Sequence, residues 1–562
     1  MKYLKFLFCF FIFFSCQNDN SLKKENPFIF SIEEFDIEKN QMKINIEITN
    51  TSNKTLNEGK WSLHWNQMHS GIIPESLPNG ISFKYINGQA YYILTFDQNY
   101  SIKPNEKIKF SFLQKGILKR KPYGPLGAFI RNHETDELFN LPLTFNWRNA
   151  KNLDKINHDS PKDKYDSMSG LSVLPNNQLN WVIPTPKKLK FHNKYRDIPK
   201  EFIVNYTNEI NIDTKVISMR LKNSTSIEIE FNNKKEGNTI LKYDNNYDKE
   251  EYSLKIKEDL IEIKASDYSG ILYAFESLHQ LILISENENN KLPIISIEDS
   301  PRFKYRGFLL DASRNFYGID KVKQVIDYMA HFKLNKLDFR LTDDEGRRLE
   351  IPGLPELTEI GSKRGFTKDE SDKLIPMYGS GAFSDNSGSG YYTREEFVEI
   401  LKYAKRRNID VFPQISFPSH ARAAIKSMEV RHKNYMLKND EISANKYLLN
   451  DLKDESKYRS AQQYDDNIIC ICQESAYTFF EKIVQEVKKM YDEANLKMKI
   501  FNIGADEVPF GAWQKSPICE KFISKNKKIK NINDLYNYNL NKLNVILNKY
   551  EAKMAGWDDI IL

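Results

Sequence analysis

A chain of 562 residues exceeds the span of one domain, and the length prior of three or four domains fits a 40% hydrophobic content that can fill several cores. Its 82 basic and 76 acidic residues leave a formal charge of +6. No basic block or aromatic-basic module stands out, which argues against a nucleic-acid partner.

The amino terminus, MKYLKFLFCFFIFFSC, sets two lysines before an apolar run too short for an ordinary membrane helix. It reads as a lipoprotein signal over residues 1–16, cleaved before Cys16, which would carry the lipid and anchor the protein in the cell envelope, facing the periplasm or the exterior. Phe13 stands where Leu is common in such signals, so an ordinary secretion signal is the alternative. The polar QNDNSLKKEN that follows reads as a tether. Cys470, Cys472 and Cys519 then remain, an odd number that predicts no disulfide framework, and Cys470 and Cys472 alone are too few for a zinc site.

Residues 26–150 alternate in segments such as KINIEIT and QAYYILTF, separated by LPNG and KPNE, which describes an antiparallel β-sandwich. Trp61, Trp65, Tyr91 and Tyr92 could stack on sugar rings if exposed, but aromatics are ordinary strand residues and burial is the expectation. A charged linker spans Ile156 to Met168. Residues 171–300 mix strands (TSIEIEF, LIEIKAS) with a helix at SGILYAFESLHQLI, where Ile271, Leu272, Phe275, Leu278 and Ile282 recur at helical spacing.

From 303 to 562 strands alternate with helices, the signature of βαβ units. Strands are expected near Arg306–Asp311, Lys336–Thr342, Asp410–Ser416, Lys499–Gly504 and Lys553–Trp557, with a helical stripe of Phe397, Ile400, Leu401 and Ala404 between the third and its predecessor. In FNIGADEVPFGAW, Asp506 and Glu507 follow an apolar strand directly, at the end where α/β barrels keep their chemistry; taken alone, such a pair more often opens a helix.

Five motifs stand in a fixed order: RGFLLDASRNF (306–316), LTDDEGRRLEIPGLPELTEIGSKRG (341–365), FPSHARAAIKSMEVR (417–431), NIGADE (502–507) and AGWDDI (555–560). In that order they resemble glycoside hydrolase family 20, most closely its bacterial chitobiase-like β-N-acetylhexosaminidases. The resemblance implies a sandwich of the carbohydrate-binding type, a small α/β domain, and a catalytic (β/α)8 barrel. It implies hydrolysis of terminal N-acetylglucosamine or N-acetylgalactosamine by substrate-assisted retention, without metal or organic cofactor. Only five strands can be counted where the barrel needs eight, so the sequence looks like a member cut off after strand five.

Carried over residue by residue, the resemblance makes Glu507 the general acid and base, and makes Asp506 the group that orients the acetamido N–H and stabilises the oxazolinium. Arg314 would bind ring hydroxyls, or, read alone, pair with Asp311 on the surface. Asp343 and His420 would position the acid, and Trp557 would wall the acetamido pocket, where core burial is the plain alternative. The chain departs from the family at Asn502 and Ala505 (usually His and Gly), at Asp338, Phe339 and Arg340 (a His-Trp-His run), at Gln414 and Ser416 (an acidic pair), and at Arg347 (a tryptophan). Those substitutions suggest lost charge and aromatic surface around the acid pair. They favour the competing expectation of a degenerate, non-catalytic glycan-binding lipoprotein.

Overall fold

The computed structural model describes residues 28–38, 41–67, 71–86, 90–115, 125–145, 165–172, 181–206, 211–225, 227–232, 237–287 and 290–561; Cys16 and most of the linker lie outside them. The described residues form two compact units, one running to residue 158 and including 376–383, the other holding 159–375 and 384 onward.

The first unit is a sandwich. Its strands are β1 (Phe28–Glu38), β2 (Gln41–Asn50), β3 (Trp61–Asn66), β4 (Ile81–Ile86), β5 (Tyr91–Phe96), β6 (Lys107–Lys115), β7 (Leu126–Asn132), β8 (Leu138–Asn140) and β9 (Leu143–Phe145). They pair in two sheets, β6-β2-β1-β9 and β4-β5-β3-β7-β8. All pairs are antiparallel except β1 with β9, which run parallel, so the antiparallel expectation needs that correction. The alternation of β2 sends Met42, Ile44, Ile46 and Ile48 inward, as a half-buried strand requires. Trp61, Trp65, Tyr91 and Tyr92 are all buried, with Trp61 stacked on Phe96 at 3.8 Å between ring centroids. These four rings therefore hold the core together and offer no sugar surface. Residues 376–383, expected with the barrel, pack here instead: Asn66 donates to the Pro376 carbonyl (2.7 Å) and the Ala382 N–H donates to Asn140 (2.8 Å).

The second unit opens with a seven-stranded mixed sheet. Its strands are β10 (Lys188–Asp197), β11 (Glu201–Tyr206), β12 (Glu228–Asn232), β13 (Thr239–Tyr243), β14 (Tyr252–Ile256), β15 (Ile261–Ala265) and β16 (Lys291–Asp299), in the order β10-β16-β14-β15-β13-β11-β12. Helix α1 (Thr214–Ser224) and helix α2 (Tyr268–Asn287) cover it. The predicted apolar stripe of α2 is buried, and so are its polar residues Glu276, His279 and Gln280. They are satisfied by neighbours: Glu276 takes the guanidinium of Arg220, and His331 lies 3.3 Å from the same carboxylate.

The remaining strands are β17 (Gly307–Asp311), β18 (Lys336–Arg340), the two-residue hairpin arms β19 (Thr342–Asp343) and β20 (Gly346–Arg347), then β21 (Asp410–Gln414), β22 (Ile500–Asn502) and β23 (Lys553–Ala555). β17, β18, β21, β22 and β23 make one sheet in sequence order, every pair parallel, matching all five expected strands. Helices α3 (Ile319–His331), α4 (Arg394–Lys405), α5 (Arg422–Met436), α6 (Glu474–Glu493), α7 (Pro517–Lys525) and α8 (Ile532–Lys549) connect them. Helix α4 begins at a capping box in which Thr393 and Glu396 exchange side-chain and backbone hydrogen bonds, and it buries the expected Phe397, Ile400, Leu401 and Ala404. Truncating Leu401 to Ala would cost about 2–5 kcal/mol.

One expectation fails here. Cys472 and Cys519 form a disulfide with their Cα atoms 5.1 Å apart, although 47 residues separate them in the chain. The loop before α6 folds back onto the start of α7, a proximity that spacing could not reveal. Cys470 is free and buried, its sulfur 3.8 Å from that of Cys519. Among the described residues no helix is long and apolar enough to cross a membrane.

Candidate active site

Each expected site residue follows one of the five parallel strands at its carboxyl end: Arg314 after β17, Asp343 after β18, His420 after β21, Asp506 and Glu507 after β22, and Trp557 after β23. That is where a parallel α/β sheet gathers its functional side chains.

His420 stands at the centre, buried, with a left-handed backbone (φ 51°) that turns its ring inward. Its Nδ1 lies 3.1 Å from Asp343 and 3.3 Å from Asp344, and its Nε2 lies 3.5 Å from Asp506 and 3.3 Å from Glu507. Burial alone would discharge the ring, but Asp343 foremost, with hydrogen bonds to Asp344 and Glu507, raises its pKa well above the ordinary value. Conversely, burial would keep Asp343 protonated, and His420, Arg314 and Arg340 together hold it well below the carboxylate range.

The two adjacent carboxylates differ. Glu507 is exposed over 44% of its side chain. The hydrogen bond from His420, opposed by burial and aided by Gln462, brings its pKa down to about 2. Asp506 is raised by burial against the pull of His420 and Arg340, and its Oδ1 is buried with no hydrogen-bond partner. A pair of titrating groups pushed apart in this way can divide acid–base and charge-stabilising roles.

Arg314 pairs with Asp311 (2.8 Å), as the plain reading allowed, and also with the buried Asp343 (3.0 Å), so it is part of the site. Trp557 is 37% exposed, and its backbone N–H donates to Gly504 (2.9 Å). Asp343, Asp344 and His420 could offer metal ligands within 4.8 Å of one another. Their charge is already met, however, by Arg314 and Arg340 and by the Arg422 N–H and Asn467 amide on Asp344.

Several partners were not evident from the sequence. Arg340, one of the substitutions thought to lose charge, brings a cation 2.6 Å from Asp343 and 3.8 Å from Asp506. Gln462 donates to Glu507 at 3.1 Å, and Asp559 accepts the backbone N–H of Glu507 at 2.9 Å. Asp559 lay inside the AGWDDI motif and could have been singled out there; nothing around Gln462 signals its role. Glu345, in the DDEGR stretch, is wholly buried and pushed up to about 7 by burial and by Asp343. Arg347 is buried over the ring of Phe479 (5.2 Å), occupying an aromatic environment in place of the family's tryptophan.

Comparison with known proteins identifies the family. The model of the glycosyl hydrolase family 20 catalytic domain matches residues 303–562, and that of the family's domain 2 matches 180–300. The chain is similar to a beta-hexosaminidase of Vibrio vulnificus, 31% identical over 92% of the chain and 63% of that protein. It is also similar to an N,N'-diacetylchitobiase of Vibrio harveyi, 47% identical over 46% of the chain and 29% of that protein. The chain thus spans less than two thirds of the length of either. The crystal structure of an exo beta-N-acetylglucosaminidase from Vibrio harveyi, in complex with N-acetylglucosamine, superposes with a TM-score of 0.74 at 26% identity, covering 95% of the chain and 75% of that structure. With two models of one family matching about two thirds of its length in the expected order, the chain belongs to glycosyl hydrolase family 20.

Proposed function

We propose that the protein is an exo-β-N-acetylhexosaminidase that removes terminal N-acetylglucosamine or N-acetylgalactosamine from chitooligosaccharides or other glycans by substrate-assisted retaining hydrolysis. The observation that carries this reading is the chain of contacts Asp343–His420–Glu507 beside Asp506. Glu507 reaches open space and would protonate the leaving oxygen, then take a proton from water. The buried Oδ1 of Asp506 is an acceptor suited to the acetamido N–H of a sugar. Held there, the acetamido oxygen attacks the anomeric carbon, and the carboxylate stabilises the cationic ring that forms. Arg314 supplies donors for ring hydroxyls, and Trp557 an apolar wall. We read β17, β18, β21, β22 and β23 as consecutive strands of a (β/α)8 barrel, with all six residues on its catalytic face.

The hydrogen bond from His420 favours ionised Glu507, whereas an acid must hold a proton. A bound sugar that displaces water from Glu507 would raise its pKa, as burial does for any carboxyl group. The lowered pKa of Glu507 joins the substitutions around the acid pair in favouring a glycan-binding, non-catalytic role. Hydrolysis of a nitrophenyl N-acetyl-β-D-glucosaminide by the full chain separates the two: turnover that disappears in Glu507→Gln supports the enzyme, and sugar binding without turnover supports the binder. Attachment to the cell envelope through Cys16 is proposed from the signal-like sequence, and incorporation of a labelled fatty acid that Cys16→Ser abolishes is its test.

A further inference from the structure

Three of the positions at which this chain departs from its family meet in one hydrogen-bonded ring under the acetamido wall. Asp338 on β18 is largely buried, with two carboxylate oxygens to satisfy. Asn502, in place of the family's His, donates Nδ2 to Asp338 Oδ2 at 2.8 Å. Its Oδ1 accepts the Gly504 N–H at 2.9 Å, and the Gly504 carbonyl accepts the Trp557 N–H at 2.9 Å. Gln414, in place of an acidic residue, is fully buried on β21. With its amide carbonyl turned to the indole, it accepts from Trp557 Nε1 at 3.2 Å and donates Nε2 to Asp338 Oδ1 at 3.2 Å; the opposite orientation sets acceptor against acceptor at Asp338 and donor against donor at the indole. The ring closes as Asp338–Asn502–Gly504–Trp557–Gln414.

We propose that Asp338 is a positioning residue for N-acetyl recognition, which, acting through Gln414 and Asn502, fixes both the indole and the backbone of Trp557. The sugar part of this inference rests on the hexosaminidase reading. Trp557 carries more than a third of its surface exposed, so packing alone does not fix its ring. The two amide donors meet different oxygens of Asp338, and a carboxylate presents an acceptor on both sides where an amide in its place would set its own NH2 against one of them. The substitutions at 338, 414 and 502 are then one compensated exchange and not independent losses.

Asp338→Asn, of equal size, brings a third amide donor into the ring and breaks it. Asp338→Asn with Gln414→Glu restores it with the polarity reversed, since the new carboxylate accepts from both the new amide and the indole. The indole N–H resonance of Trp557, assigned by its loss in Trp557→Phe, is expected to shift in Asp338→Asn and return in the double variant. The dissociation constant for N-acetylglucosamine is expected to rise at least about fivefold in Asp338→Asn and recover in the double variant, with glucosamine binding little changed. Burial, opposed by Asn502 and Arg340, pushes Asp338 up to about 6, and the other ionisable group it faces is Tyr305. The resonance is therefore also expected to move with a midpoint near that pH in wild type and to stay level in Gln414→Leu. An indole resonance unaffected by Asp338→Asn, or a shift without rescue, overturns the proposal. Failure of wild type to bind N-acetylglucosamine removes the hexosaminidase reading instead, and the resonance and its rescue still decide the ring.

Discussion

The side-chain amide of Gln462 donates to the carboxylate of Glu507 across 45 residues of sequence. Gln462 belongs to the long loop that ends at Cys472, and the same loop supplies Tyr464 to Glu345 and Asn467 to Asp344. One loop thus supports three of the site's carboxylates, and the disulfide to Cys519 fastens its end.

Glu507→Gln is expected to lower kcat on a substrate whose leaving group needs protonation by about a hundredfold or more. Folding, followed by circular dichroism, should be unchanged, because Gln can still take the amide hydrogen bond of Gln462. Retained turnover would remove Glu507 from the role.

Asp506→Asn is expected to weaken binding of a thiazoline mimic of the oxazolinium more than binding of N-acetylglucosamine, by about tenfold. Calorimetric titration of both ligands measures the difference, and equal losses would argue against assistance by the acetamido group.

Glu345 gives a pH signature. Its folded pKa is raised to about 7 from 4.5, so the folded protein binds the proton more tightly than the unfolded chain does. Below the unfolded value both states are protonated and the group contributes nothing. As pH rises to about 7, ionising it destabilises the fold, by up to about 3 kcal/mol. Glu345→Gln should match wild type in stability at pH 4 and exceed it at pH 8, as read by urea denaturation at both values.

Cys472→Ser opens a loop closed over 47 residues, and chain entropy puts the loss at about 4 kcal/mol. Reductant should destabilise wild type and leave the variant unmoved. Turnover should fall with stability, since the loop carries Gln462.

What could be read in the sequence was whatever local pattern encodes. The five strands were legible because buried parallel strands appear as short apolar runs, and the six candidate residues could be singled out because they stand just after those runs within motifs. The parallel pairing of β1 with β9, the disulfide, and the partners Gln462 and Arg340 depend on contacts between distant segments, which no local periodicity carries. Helix α2 shows the same limit: its apolar stripe was legible, but the burial of Glu276 and His279 was not, because Arg220 and His331 meet them from other elements.

The backbone at the acid pair bears on how the site is built. Ala505 (φ 63°) and Glu507 (φ 54°) both adopt the left-handed conformation, which costs about 1 kcal/mol or more at a residue with a side chain. Neither helix nor strand hydrogen bonds hold this stretch. Tyr536 on α8 donates to the Ala505 carbonyl (2.8 Å), Ser419 donates to the Asp506 carbonyl (2.5 Å), and Asp559 receives the Glu507 N–H (2.9 Å). Three remote segments must arrive before the two carboxylates can face a sugar. On the proposed reading, activity would therefore report on tertiary assembly, and a variant that loosens any of the three tethers would displace the acid pair while both carboxylates remain in the chain.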